Sequence, residues 1–472
     1  MKIYNTLTRK PDDIVPLDGE TVRIYSCGPT VYDHIHIGNL SSFIYADTLR
    51  RAVAADGKKV QHVMNFTDVD DKTIRRSQEK YGDLEPREAL QKLTTEYGEL
   101  FLQDMIAVGN DTASMQFVKA TDPEVIEGMK QLVTELLKHG FAYVADDGVY
   151  FSIDAYVKSG KTYGQLTEVT TSSTSESRIQ NDEYDKESAH DFALWKKQKS
   201  GEPAWDFTLD GHDLKGRPGW HLECSVMSRQ TLGQPFDIHT GGVDLIFPHH
   251  ENEIAQSTAG NDNPLYAASF VHNEHLLVDG KKMSKSLNNF YTLEDIKKKG
   301  YDPLAFRLLV LQSHYRNQAH FSWENLEAAQ KRLQDLRALA ALRYQALDVT
   351  HDGTTFAYQE VSANLAALLA DDLRTPQALA FLSEVMTQIQ VVLVEKDALK
   401  HFNDMLENID ALLGLGLTAV PDINSAQKQL IADRQAARNN KDWAASDTLR
   451  DQLAEQGIGV RDTPYGPIWF PL

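Results

Sequence analysis

TVRIYSCGPTVYDHIHIGNLSSFIYADTLRRAVAADGKKVQHVMNF, residues 21–66, is the stretch from which the fold is read. Thr21 to Ser26 predicts a short strand. Ile37 to Ala55 carries Leu40, Phe43, Ile44, Leu49 and Val53 at near-helical spacing, and Val60 to Phe66 predicts a second strand. Strand, helix and strand in that order make a βαβ unit and hence a parallel sheet. The link Pro29 to Asn39 lies where such a sheet presents helix N-terminal amides to phosphate. Within it Gly38 permits close approach of backbone to a flat ring, and His36 offers a hydrogen-bond donor. By itself His-Ile-Gly is a weak signal.

Outward from this unit, Asp122 and Pro123 predict an N-cap and first helical residue. The helix they open turns Val125, Ile126, Met129, Leu132, Val133, Leu136 and Leu137 inward and stops at Gly140. An Asp-Asp-Gly turn near residue 147 predicts a hairpin. Thr167 to Asp191, rich in Ser, Thr, Asp and Glu, reads as a surface insertion. The sheet pattern returns over Pro235 to Leu245. After Ser286 it becomes helical, with Ser322 as cap to a helix bearing Leu326, Leu333, Leu336 and Leu339. Val349 to Thr355 reads as a linker, and the remainder as a helical bundle with a short β-containing tail.

At 472 residues the chain exceeds what one hydrophobic core organises, so several domains are expected. A net charge of -20 argues against indiscriminate nucleic-acid binding, so any RNA contact must use local basic patches. No apolar run suggests a signal peptide or a membrane span, and the expected location is the cytoplasm. In that reducing setting Cys27 and Cys224 point to metal ligation or plain burial rather than a disulfide.

Cys27 follows the first strand, Cys224 ends Gly-Trp-His-Leu-Glu-Cys, and His249 and Glu253 stand four residues apart, on one face if helical. Two thiolates, an imidazole and a carboxylate suit zinc. Taken singly, each cysteine reads more readily as a small buried hydrophobe, and a four-ligand zinc as purely structural. Far downstream, Gly280-Lys-Lys-Met-Ser-Lys-Ser286 gathers cations and hydroxyls able to clamp a pyrophosphate, although alone it is any basic surface loop.

As a pair, His36-Ile-Gly-Asn39 and Lys282-Met-Ser-Lys-Ser286 resemble the HIGH and KMSKS signatures of class I aminoacyl-tRNA synthetases, with Asn39 in place of the final histidine. Five further stretches narrow the resemblance to the cysteinyl-tRNA synthetase family over nearly the whole chain. They are Cys27 to Tyr32, Asn65 to Lys72, Gly216 to Ser225, Gly241 to Glu253, and Asp442-Trp to Trp469.

The resemblance implies an α/β fold: a Rossmann-type nucleotide-binding catalytic domain with an inserted connective domain, then a mainly α-helical anticodon-binding domain. The expected divisions are 1–115 and 196–275 for the catalytic halves, 116–195 for the insertion, 276–348 for the KMSKS loop and helical junction, and 349–472 for the anticodon-binding domain. It implies ATP-dependent activation of L-cysteine and its transfer to tRNA(Cys) by a chain working as a monomer. The expected zinc ligands are Cys27, Cys224, His249 and Glu253, with one Zn2+ per chain binding the substrate thiolate. ATP with Mg2+ is expected at Thr30, His36, Gly38, Asn39 and Lys285. His36, Lys282 and Lys285 are the expected catalytic groups, Thr67, Trp220 and Asp244 the cysteine pocket, and Arg438, Asp447 and Asp462 the anticodon contacts. The insertion looks too short to hold a hydrolytic editing module as well. An amino-sugar cysteine ligase of the mycothiol type and a non-catalytic RNA-binding paralogue are the alternatives, and the helical C-terminal region favours tRNA.

Overall fold

The computed structural model describes residues 1–167, 191–260, 264–281, 283, 289–347, 356–392 and 394–472. The expected insertion at Thr167 to Asp191, the linker at Val349 to Thr355, and Lys282 and Lys285 lie outside the described residues, wholly or nearly so. Two compact units are formed. The first comprises Met1–Leu276, Lys282–Leu293 and Tyr315–Gln318, and the second Leu277–Lys281, Glu294–His314 and Ala319–Leu472.

At the centre of the first unit is a five-stranded sheet of β1 (Thr21–Ser26), β2 (Lys59–Phe66), β3 (Met115–Lys119), β4 (Phe236–Gly242) and β5 (Ala267–Asn273). Its order is β5-β4-β1-β2-β3, and every neighbouring pair is parallel. Ile24 of β1 faces His62 on one side and Ile238 on the other. Val22, Ile24, Tyr25, Val63 and Met64 are wholly buried, as strands covered on both faces require. The β1-helix-β2 unit read from the sequence is present, its helix α1 spanning Ile37–Ala55. Because β4 returns to the opposite side of β1 from β2, the carboxyl ends of β1 and β4 define a topological switch point, where open α/β sheets bind ligands.

The expected boundary at 115/116 falls at the start of β3, which pairs with β2. Helix α2 (Pro123–Lys138) buries six of the seven apolar residues expected inward, with Leu137 half-buried. Asp122 holds the cap position without capping. Its carboxylate accepts from the Lys119 N–H at 3.0 Å, which draws it back toward the preceding turn. The Asp146-Asp147 turn joins two antiparallel strands, Ala142–Ala145 and Gly148–Phe151. With Phe192–Lys197 and Gly216–Pro218 these form a separate four-stranded sheet.

In the second unit, helix α5 (Trp323–Ala341) begins as the sequence predicts. Ser322 Oγ accepts from the Asn325 N–H at 3.1 Å, and Leu326, Leu333, Leu336 and Leu339 are buried. Three helices follow, Tyr358–Ala370, Thr375–Val392 and Leu399–Leu413, then α6 (Ser425–Asn439) and α7 (Trp443–Glu455). An antiparallel hairpin of β6 (Ile458–Thr463) and β7 (Gly466–Pro471) ends the chain. The Gln345 carboxamide pairs with the Trp469 backbone, donating to its carbonyl at 2.9 Å and accepting from its N–H at 2.7 Å, and so satisfies the outer edge of β7.

Candidate active site and metal centre

A cleft of about 330 Å³ opens at the switch point. Its walls include Ser26, Cys27, Thr30 and His36 from β1 and the loop after it, Asn39 from the first turn of α1, and Thr240, Gly242 and Asp244 from β4 and the turn after it. Gly28 has no room for a side chain, because a Cβ there would strike the Asn65 backbone carbonyl. Asn65 holds this loop through its Oδ1, which accepts from the Gly28 N–H at 2.8 Å.

His36 is the N-cap of α1, and its Nδ1 accepts from the Asn39 N–H at 3.1 Å. Burial lowers its pKa to about 4, with Asp244 opposing, so the ring is neutral at pH 7. A neutral ring accepting at Nδ1 carries its proton on Nε2. Phe290 packs edge-on against it with ring centroids 5.2 Å apart.

The four expected metal ligands come together. Cys27 Sγ lies 3.8 Å from Cys224 Sγ and 3.8 Å from Glu253 Oε1, and Cys224 Sγ lies 3.6 Å from His249 Nε2. A tetrahedral zinc with Zn–S of about 2.3 Å and Zn–N or Zn–O of about 2.0 Å has edges of about 3.8 Å between sulfurs and about 3.5 Å from sulfur to nitrogen or oxygen. The sulfur edges fit this shape. His249 Nε2 and Glu253 Oε1 are closer, at 2.9 Å, a hydrogen-bonding separation that an ion between them would widen.

Helix α3 (Trp220–Leu232) carries Cys224, and α4 (Glu251–Thr258) carries Glu253. His249 belongs to the kinked turn Ile246–His250 that precedes α4, so the expected shared helical face is only partly helical, although the two side chains still meet. Cys27 is 9% exposed while Cys224, His249 and Glu253 are at most 1% exposed, so the quartet reaches the cleft through Cys27.

A second layer fixes these groups. His249 Nδ1 is 2.8 Å from His221 Nδ1, and Trp220 stacks on the His249 ring at 4.2 Å. Glu253 Oε2 meets His239 Nε2 at 2.7 Å and accepts from the Tyr266 hydroxyl at 2.9 Å, which leaves Oε1 for the quartet. The hydrogen bond from Cys27 lowers Cys224 to about 6 against the effects of burial and of the Glu253 charge. Burial raises Cys27 well above the usual thiol range. Burial opposes charge on His249, but Glu253 and Cys224 outweigh it and raise the ring to about 10. The Cys27, His239, His250 and Glu253 side chains also lie close enough to form an alternative ligand group.

Of the other expected residues, Thr30, Asn39, Trp220 and Asp244 line the cleft, and half-buried Trp220 is therefore a wall residue rather than core. Thr67 is buried 3.2 Å from Asn65 Nδ2, away from the cleft wall. Gly38 packs beneath the side chain of Met283. Sequence reasoning passed over Lys72 and Tyr32, which also line the cleft, and over His239, Tyr266 and His272. The signal for the histidines is their recurrence in two strands, Asp237-Ile-His239 and Val271-His272, where apolar residues are expected.

In the second unit Arg438 of α6 contacts Asp462 of β6 at 3.2 Å and lies 5.5 Å over the Trp443 ring. Asp447 of α7 pairs with Arg450 at 3.0 Å. Arg434, which sequence reasoning missed, grips Asp462 with both terminal nitrogens. Its position one helical turn before Arg438 was the available signal.

Residues 13–331 match the family model of the class I (C) tRNA synthetase catalytic domain, and residues 420–469 match that of the cysteinyl-tRNA ligase anticodon binding domain. The chain belongs to the cysteinyl-tRNA synthetase family. A cysteine–tRNA ligase of Leptospira interrogans is 39% identical over 487 residues, spanning 99% of each chain. That of Chlamydia pneumoniae is 40% identical over 480 residues, covering 99% of this chain and 98% of its own. The crystal structure of Mycobacterium tuberculosis methionyl-tRNA synthetase bound by methionyl-adenylate shares the fold, with a TM-score of 0.61 at 12% identity over 85% of this chain and 93% of its own. As a cysteinyl-tRNA synthetase the chain is an ATP-using ligase that joins cysteine to tRNA. The anticodon-binding match favours this activity over an amino-sugar ligase. No described helix is long and apolar enough to cross a membrane.

Proposed function

We propose that cysteine selection rests on a zinc ion held by Cys27, Cys224, His249 and Glu253. The observation that carries this reading is the near-tetrahedral spacing of their ligand atoms, with Cys27 opening it to the cleft. Serine is no larger than cysteine, so shape cannot reject it, and a ~10,000-fold preference needs about 5.6 kcal/mol. When bound, zinc would favour a substrate thiolate over a hydroxyl, which supplies that difference without an editing step.

Around it, Trp220 and Asp244 form the cysteine pocket, with Thr67 supporting it through Asn65. The substrate carboxylate attacks the α-phosphate of Mg2+-bound ATP, and pyrophosphate leaves. Thr30, Gly38 and Asn39 accommodate the nucleotide, and the Nε2–H of neutral His36 donates to the phosphate charge. Lys282 and Lys285, by their signature, neutralise the leaving group. The terminal ribose hydroxyl of tRNA(Cys) then attacks the adenylate. Arg438, Asp447 and Asp462 read the anticodon, where arginine pairs with guanine acceptors and carboxylates accept from base amino groups. The chain acts as a monomer in the cytoplasm.

The test is ATP–pyrophosphate exchange with cysteine and with serine, run beside zinc analysis on the wild type and Cys224→Ala. Cysteine-only exchange that falls with zinc content supports the reading. Undiminished exchange in a zinc-free variant rejects it.

A further inference from the structure

Asp462 is 37% exposed on β6, and the ladder does nothing to aim its carboxylate, since its cross-strand partner is Pro467. The aim comes from α6. Arg434 Nη1 donates to Oδ1 at 2.8 Å and Nη2 to Oδ2 at 3.0 Å, a two-pronged grip by an arginine that is itself only 5% exposed. Arg438 adds a third contact, to Oδ2 at 3.2 Å.

A carboxylate oxygen has two lone-pair directions. Each oxygen spends one on Arg434, and Arg438 adds a positive charge beside Oδ2. We propose that Arg434 is a positioning residue for anticodon discrimination: its two-pronged grip locks the plane of the Asp462 carboxylate, so that the acceptor directions left on it meet a base amino group in one fixed orientation. This rests on the reading of Asp462 as an anticodon contact. It assigns Arg434 a task separate from that of Arg438, which is one-third exposed and able to meet RNA directly.

A lysine at 434 would keep the charge but supply a single point contact, leaving the carboxylate free to turn. The experiment uses the full-length protein with cognate tRNA and transcripts substituted singly at each anticodon position, comparing wild type, Arg434→Lys, Arg434→Met and Asp462→Asn. Unchanged ATP–pyrophosphate exchange and far-UV circular dichroism in Arg434→Lys and Arg434→Met show that these two variants are folded and active in cysteine activation. The expected result for both Arg434 variants is a raised KM for cognate tRNA with little change in kcat, and discrimination narrowed by about tenfold or more at one anticodon position only. Arg434→Lys is expected to follow Arg434→Met rather than the wild type.

An equal loss against all four tRNAs, or full rescue by lysine, would assign Arg434 to holding the hairpin alone and overturn the proposal. So would sensitivity of Asp462→Asn without sensitivity of either Arg434 variant. If Asp462→Asn discriminates as the wild type does, the anticodon reading of Asp462 falls, and the proposal with it.

Discussion

The Asn39 backbone N–H donates to His36 Nδ1 at 3.1 Å, so it is a main-chain group of residue 39 that sets the tautomer of the His36 imidazole. The exchange of the final signature histidine for asparagine leaves this bond untouched. Asn39→Ala is therefore expected to keep the kcat of ATP–pyrophosphate exchange and to alter chiefly the KM for ATP, whereas His36→Ala removes a transition-state donor and lowers kcat by about 10²–10³-fold. Steady-state exchange kinetics separate the two. Equal losses of kcat would assign the asparagine side chain a direct part in the chemistry.

Metal removal is the second expectation. Cys27 and Cys224 are the chain's only cysteines, so no other thiol can replace either. Cys224→Ser should reduce zinc from about one ion per chain to near zero by elemental analysis, since a hydroxyl is a poor ligand where zinc takes thiolate. Retention of stoichiometric zinc in this variant would move the site to the alternative group of Cys27, His239, His250 and Glu253.

Tyr266 tests the second layer. Its hydroxyl donates to Glu253 Oε2 at 2.9 Å and helps keep Oε1 turned toward the quartet. Tyr266→Phe removes that bond while preserving the ring that packs against Phe236. Zinc affinity measured by chelator competition should weaken by about 10- to 100-fold. An unchanged affinity would leave His239 as the sole orienting partner.

His62 gives a pH dependence. It is 1% exposed with Nε2 2.7 Å from Ser26 Oγ, and burial lowers its pKa to about 4. In the unfolded chain a histidine titrates near ~6.5, so between the two values the unfolded state binds the extra proton. The neutral ring's contribution is complete above pH ~6.5 and is lost as pH falls through about 4. By pH ~5 this amounts to roughly 2 kcal/mol. Unfolding of His62→Gln should lose less stability between pH ~7.5 and ~5 than the wild type. Parallel pH profiles would show that the ring is protonated equally in both states.

The βαβ unit, α1, the Ser322 cap and the apolar face of α2 were legible in the sequence because each follows from local periodicity and from residues adjacent in the chain. The signature pair His36-Ile-Gly-Asn39 and Lys282-Met-Ser-Lys-Ser286, with the five further stretches, sufficed to point to the family. Asp122 holds the N-cap position read from the sequence, but its carboxylate accepts from the Lys119 N–H, a donor that the bend of the preceding strand supplies and no local pattern states.

What only the tertiary structure decided is which atoms meet. Cys27 and Cys224 are 197 positions apart, and their approach depends on the β5-β4-β1-β2-β3 order, which no local pattern states. The same holds for the histidine layer behind Glu253, for the tautomer of His36, and for the two-pronged grip of Arg434 on Asp462, 28 residues away. Residue type supplies the chemistry a side chain is capable of. Burial and the nearest neighbour in space decide its protonation, its free lone pairs and the direction in which it faces.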